Sequence, residues 1–508
     1  MKLNYKRTIL VGFAFFLISA FWQAYDSTVS LLLTNKFGMS QTWSGVVMAL
    51  DNILALFMLP LFGTLSDKHK GKSGRRTPFI RLGTIVAAVA LVGLSFVDNM
   101  QLSSITAVST VDDPAGLVTL YEAHSQDALM TPEGENFVLA EKFTQEQFAA
   151  IRSGTDDYTN YVVPTRHAYA AAATAANPTP LIIFIALLLV VLIAMATFRS
   201  PAVALMPDVT LKPLRSKANA VINLMGTAGG ILVLVLGMVF GTSAVKNALM
   251  SYTAFYGVIA AVMIGALAIF LTTVKEKEWA AQMQSDAIRY GIEEEPQEEN
   301  AESKRGLGKS ELMSLICILL SVALWYFGYN AVTSKYSVYA PNILQKDYNT
   351  TMLIAQGFAI VAYLPAGMVA SRIGRKKTIL GGVVMLATAF GAAAFMRSSS
   401  PAWLMNVMFA LAGVAWATIN VNSFPMVVEM CSGADVGKYT GFYYTASMAA
   451  QTVTPMLSGF LMDKLGMTVL FPYAAICVAL AFVTMLLTRH GDAKVASKKG
   501  LEAFDTDD

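Results

Sequence analysis

Apolar residues along this chain come in unbroken runs of about 20 positions, each long enough to cross a hydrocarbon core of about 30 Å at 1.5 Å per residue. The runs are continuous and do not alternate by twos, which rules out strands as the spanning element. They fall at 8–33, 41–65, 79–97, 180–198, 218–241 and 251–273 in the first half. The second half has them at 311–333, 350–371, 377–396, 401–424, 439–461 and 468–488. The pattern predicts an all-α membrane protein of twelve transmembrane helices. Polar residues interrupt several runs, which points to a bundle with a wet interior. The first run follows MKLNYKR, is too long for a signal peptide and contains Asp26, so an uncleaved first helix is expected.

Composition agrees. Of 508 residues, 55% are hydrophobic and 14% charged, against about 25% charged in a soluble domain, and mean hydropathy is +0.53. The net charge of +3 decides nothing, because in such a chain its distribution carries the information. Basic residues cluster in alternate connections: Lys68, Lys70, Lys72, Arg75, Arg76 and Arg81; Arg199, Lys212, Arg215 and Lys217; Arg372, Arg375, Lys376 and Lys377. The positive-inside rule makes that side cytoplasmic and puts both termini there, in a cell inner or plasma membrane.

Two connections are long. Residues 98–179 are acidic and read as a solvated extracytoplasmic insertion or a lid, with a short helix expected over Glu141–Ile151. Residues 274–310 read as a charged cytoplasmic linker between a first half (1–97 with 180–273) and a second (311–490), followed by a tail over 491–508. The halves look duplicated: GTLSDKHKGKSGRRTPFI at Gly63–Ile80 returns in weaker form as GMVASRIGRKKTIL at Gly367–Leu380. Two pseudo-symmetric six-helix bundles are the architecture from which a rocking transporter is built.

The spacing Gly63-x3-Asp67-x6-Gly74-Arg75-Arg76 has a physical logic. Gly63 permits close helix contact and Gly74 a tight turn, while Asp67 can pair with an arginine or sit at a helix N-terminus. With Arg372, Arg375, Asp208 and Glu429, this set is expected to form a cytoplasmic gate that holds the halves together. The repeated motif resembles the signature of the major facilitator superfamily. PLFGTLSDK and GRRTPFI within Pro60–Ile80, FWQAYDSTVSLLL at Phe21–Leu33 and FRSPAVALMPD at Phe198–Asp208 resemble the glycoside–pentoside–hexuronide:cation symporters and the sucrose-type proton symporters. The resemblance covers nearly all of the chain outside the acidic insertion and the tail. It implies the major facilitator fold and cation-coupled movement of a sugar. Ser371 stands where the first motif has Asp67, and of the paired helix-two carboxylates of melibiose-type sodium symporters only Asp51 is present, which favours protons over sodium.

A carboxylate at mid-bilayer costs roughly 2.5–3.5 kcal/mol, so each one asks for a reason. Asp26 shares a helical face with Trp22, Gln23 and Ser30, and Asp51 sits with Asn52 near the middle of span two. Asp26 and Asp51 are the candidates for cation coupling; Trp22, Gln23 and Asp26 are candidates for sugar binding, since a sugar needs hydroxyl partners and an aromatic face. Tyr329, Asn330, Trp416, Asn420, Tyr444 and Gln451 are the matching candidates in the second half. A site between spans one, four, five, seven, ten and eleven is expected. The same fold carrying amphipathic compounds outward is the alternative, and a non-transporting sensor that docks a partner through the acidic insertion is another. The three cysteines imply no disulfide framework. Four scattered histidines and the absence of a phosphate-loop motif give no reason to expect an enzyme, a cofactor, a metal site or nucleic-acid binding. The expected partners are a small solute, a coupling cation and the lipid bilayer, and the expected state is a monomer.

Overall fold

The structure, a computed structural model, describes residues 3–71, 73–211, 214–290, 309–428 and 436–490. Long helices stand at each apolar run: α1 Tyr5–Asn35, α2 Gln41–Lys68, α3 Thr77–Ser104, α4 Thr179–Val209, α5 Arg215–Phe240 and α6 Thr253–Thr273. The second set is α7 Lys309–Tyr339, α8 Tyr348–Ile373, α9 Arg375–Ala393, α10 Ala402–Val428, α11 Val436–Leu465 and α12 Leu470–Leu487. Among the described residues, ten are long and apolar enough to cross a membrane, or eleven if the two arms of α8, bent by 47° before Pro365, are one span. Helices are what a bilayer permits, because every backbone polar group is satisfied within the segment. Side chains stop fraying at the ends: Asn4 accepts from the Arg7 amide and Ser40 from the Trp43 amide.

Each six-helix set buries its own core. Leu17, Leu91, Phe184, Met195 and Tyr256 belong to the first; Val322, Trp325, Leu386, Val478 and Phe471 belong to the second. An ion pair between Lys36 and Asp98, 2.6 Å long and fully buried, locks the ends of α1 and α3 together. Lys36 also donates to the Met250 carbonyl at 2.6 Å.

The acidic segment between α3 and α4 folds into a cap with a core of its own. It holds a helix over Pro114–His124, a hairpin pairing β1 Ala128–Met130 with β2 Asn136–Val138, and a helix over Val163–Ala176. Its core, Val108, Leu117, Leu120, Phe137, Phe148 and Tyr158, is separate from those of the bundles. Glu141–Ile151 forms two short helices, Leu139–Lys142 and Gln145–Ala149, because Thr144 starts the second with a reciprocal capping box to Gln147. The cap is rooted in the first bundle: Gln101 donates to Thr174 at 2.9 Å and His167 bonds the Met39 carbonyl at 3.0 Å. It also reaches the second. Asp156 accepts from Gln345 at 3.0 Å and Ser398 at 3.2 Å, Glu133 pairs with Arg397 at 3.4 Å, and the Met467 amide donates to the Pro132 carbonyl at 2.6 Å.

At this cap end the bundles touch directly. Where α2 crosses α11, a Cβ on Gly45 would collide with the Pro455 carbonyl and one on Gly459 with that of Gln41, so only glycine lets the backbones meet. Asp463 of α11 accepts from the Gln41 amide at 2.8 Å, the Thr42 amide at 2.7 Å and the Thr42 hydroxyl at 2.5 Å. It therefore caps α2 from the other half of the molecule. Lys335 of α7, fully buried, donates to the Gln41 carbonyl at 2.6 Å and to Ser44 at 2.8 Å. Between α5 and α8, Thr242 bonds the Tyr348 hydroxyl at 3.0 Å and Ser243 bonds Asp347.

Candidate functional site

Below this closed end, in the middle of the molecule, lies a cavity of about 480 Å³ walled by α1, α4, α5, α7, α8 and α10, with Phe390 of α9. It opens toward the end that carries the linker through a larger vestibule of about 930 Å³, with which it shares Phe15, Ser19, Arg199 and Asn223. Of the residues predicted to bind a solute, Trp22, Gln23, Asp26, Tyr329 and Trp416 line the cavity. Tyr444 lines the vestibule, against Phe424.

Asn330, Asn420 and Gln451 are not in that lining. One helical step turns Asn330 about 100° away from Tyr329, so α7 presents Tyr329, Val332 and Thr333 instead. Asn420 is a turn beyond Trp416 on α10. Gln451 lies on α11 toward the crossing with α2, and α8 takes the wall expected of α11, contributing Met352, Gln356 and Tyr363. Asp51 is half-buried on α2, accepts from Asn52 at 2.9 Å and does not line the cavity.

The cavity joins two kinds of surface. Tyr329 and Trp416 stack with ring centroids 3.6 Å apart and 6° between planes, and Tyr326 meets Trp416 edge-on at 5.2 Å. Opposite, α1 supplies Trp22, whose indole N–H has no hydrogen-bond partner among the described residues. Gln356 of α8 donates to Gln23 of α1 at 2.7 Å, and Gln23 donates to Ser27 at 3.0 Å. This amide chain bridges the two halves. Asp26 is exposed although ringed by helices, so what it meets is the cavity. Its charge and that of Asp51 interact, as do those of Asp51 and Arg199.

The sequence pattern places Arg199 in a basic connection, and the structure does not. The residue lies inside α4, which runs on through Pro201 and Pro207 to Val209, and its guanidinium sits 5.8 Å from the centroid of the Trp22 ring. Proline is tolerated inside membrane helices where neighbours satisfy the freed carbonyls. The signal was present in the apolar residues of AVALMP beyond it, which extend the helix past the arginine.

The basic motif also differs from its expected role. Asp208 pairs with Arg75 at 2.6 Å and with Arg76 at 2.8 Å, and Asp67 pairs with Arg76 at 2.5 Å. All of these pairs belong to the first bundle, so among the described residues the cluster clamps α2, α3 and α4 together. Gly63 packs against Ser200 of α4, again within that bundle. Gly74, at φ +115°, makes the turn into α3 and leaves room for Glu276. That carboxylate accepts from the amides of Arg75, Arg76 and Thr77 at 2.7–2.8 Å, fastening the linker helix Glu276–Arg289 to the start of α3. In the second half Arg375 is buried and Arg372 exposed. Glu429 lies outside the described residues.

Comparison with known proteins fits this geometry. Residues 10–111 match the family model described as MFS/sugar transport protein, and residues 336–504 match that of the Major Facilitator Superfamily, together more than half of the chain. A curated relative, the MFS-type transporter ppzB of Metarhizium rileyi, is 27% identical over 141 residues. That match covers 28% of this chain and 29% of the relative. Among solved structures, the inward-open xylose transporter XylE from E. coli superposes with a TM-score of 0.58 at 16% identity, covering 99% of both chains. A D-xylose-proton symporter gives 0.55 at 15% identity over 95% of this chain and 97% of that one. A bacterial homologue of the iron transporter ferroportin, in its inward-facing state, gives 0.57 at 12% identity over 96% and 99%. Identities this low show a shared fold and no more.

Proposed function

Because the chain belongs to the major facilitator superfamily, we propose that it is a secondary active symporter that moves a sugar or glycoside by alternating access, driven by protons. The observation that carries the reading is an exposed carboxylate, Asp26, in a central cavity that also holds a stacked aromatic pair and an amide bridge between the halves. The stacked Tyr329 and Trp416 and the Trp22 ring suit the CH-rich faces of a pyranose. Gln23 and Gln356 each offer a donor and an acceptor to vicinal hydroxyls. Solute seated on both amides would replace their mutual bond and so couple occupancy to the relation between the bundles. Asp26 takes a proton on the side where the cavity is open and gives it up on the other, with Asp51 and the Arg199 guanidinium setting the field around it.

The positive-inside rule puts the linker end and both termini in the cytoplasm, so the arrangement described is open inward. The sugar-transport description of the family model that matches residues 10–111 supports the substrate class. The test uses purified protein in liposomes with an inward proton gradient and a panel of labelled mono- and disaccharides. Uphill accumulation of at least one sugar, abolished by a proton ionophore, is the expected result. Asp26→Asn should remove accumulation yet retain sugar counterflow, because a neutral side chain still binds but no longer exchanges a proton. Full accumulation by that variant, or none by the wild type with any sugar, rejects the reading.

A further inference from the structure

A second cavity, of about 420 Å³, lies outside the transport path, on the outer face of the second bundle between α8, α9 and α10. Its wall is apolar. Phe358, Val361 and Val369 of α8 are 51%, 71% and 43% exposed along it, with Met385 and Val414 on the other sides. The two threonines in the wall turn their hydroxyls back to their own helices, Thr378 to the Gly374 carbonyl at 2.8 Å and Thr418 to that of Val414 at 2.7 Å. Only their methyl groups remain for the groove. The 47° bend of α8 falls at this wall, ahead of Pro365, one of the lining residues. From Phe358 to Ile373 the groove runs about 22 Å along the helix, against about 15 Å for one leaflet of the hydrocarbon core.

One charged residue belongs to the wall, Lys377, at the linker end. Its neighbour shows how a lysine there is normally used. Lys376 donates to the carbonyls of Leu486 at 3.0 Å and Thr488 at 2.6 Å, closing the end of α12. Lys377 is exposed and has no hydrogen-bond or ion-pair partner among the described residues. Arg372, in the last turn of α8 at the same end, is exposed as well. An apolar channel at bilayer depth with Lys377 in its wall at the interfacial mouth, and Arg372 nearby, is complementary to a molecule with a long hydrocarbon tail and an anionic head.

We propose that this groove holds an acyl chain of an anionic phospholipid from the cytoplasmic leaflet, with the headgroup phosphate on Lys377. The leaflet follows from the orientation proposed above, whereas binding itself requires neither transport nor any particular substrate, so the two readings fail separately.

The experiment titrates the full chain, in neutral detergent, with phosphatidylglycerol or with phosphatidylcholine of identical chains. Bound lipid is counted by native mass spectrometry and the thermal midpoint is followed in parallel. One lysine near the surface is worth roughly 1 kcal/mol toward an anionic lipid, which is about a fivefold preference. That preference and a raised midpoint with phosphatidylglycerol are expected. Lys377→Gln should erase the preference and leave weak binding of both lipids. Gly381→Leu should abolish both, since a Cβ at that lining position meets no atom within 4 Å and the added side chain would fill the groove without disturbing the helix. Both variants should melt like the wild type in lipid-free detergent. Equal binding of the two lipids by the wild type, or unchanged binding in Gly381→Leu, overturns the proposal. Glycerol 3-phosphate matching the full lipid also overturns it, because the tail would then contribute nothing.

Discussion

The two ends of the interface between the bundles differ in what holds them. At the cap end, backbone meets backbone at Gly45 and Gly459, a carboxylate from one half caps a helix of the other, and a folded domain lies across both. Toward the linker end, among the described residues, the walls part around Arg199, Asn223, Phe424 and Tyr444, and the ion pairs of Arg75 and Arg76 stay within one bundle. The lesson concerns where charge does its work. A dense cluster of arginines and carboxylates holds one bundle together, whereas two charged side chains, Asp463 and the buried Lys335, with two glycines join the halves.

The difference can be broken at its strongest point first. Gly459→Leu forces a side chain into the Gln41 carbonyl; overpacking of this kind typically costs 1–3 kcal/mol, so about 3 kcal/mol is expected where backbone cannot yield. It should open the cap end by more than tenfold, read as the rate at which an impermeant maleimide applied from that side labels a cysteine at Asn342, in the chamber under the cap. Asp463→Ala removes three hydrogen bonds to the start of α2 and admits water in their place. About 2 kcal/mol and a rise in labelling of roughly tenfold or more are expected. The smallest effect belongs to Glu133→Ala. Its ion pair with Arg397 has side chains 47% and 40% exposed, and such pairs contribute about 0–1 kcal/mol. Labelling should change less than about fivefold and should lose even that in high salt. If Glu133→Ala opened the molecule more than Asp463→Ala, the cap and not the α2–α11 crossing would be the main fastening.

These outcomes bear on what a sequence can disclose. The twelve helices and the duplication were legible because each depends on local runs and on a motif whose glycines and charges recur at fixed spacing. Trp22, Gln23 and Asp26 were legible because i, i+1 and i+4 on one helix suffice to place them together. What escaped depends on which helices approach which. Gly459-x3-Asp463 has the same spacing as Gly63-x3-Asp67, yet nothing local says that its carboxylate meets the start of α2. The order of the cap was hidden for a related reason: Val108, Leu117, Phe137, Phe148 and Tyr158 have no common period and become a core only after the chain has turned several times. Arg199 is hard to place from sequence because an apolar run looks finished at its first charge, whereas the helix continues for about three turns, to Val209.

Closure at the cap end has a consequence for how the protein would respond to solute on its two sides. A molecule arriving from the cap side meets a competent site only in the fraction of proteins open to it, and its apparent dissociation constant is the intrinsic one divided by that fraction. A molecule in the vestibule meets the site already formed. Under the alternating access proposed above, every hydrogen bond that Asp463 makes to α2 would weaken half-saturation from one face of the membrane and leave it nearly unchanged from the other, so the same cavity would display two affinities set by a residue that never touches the solute.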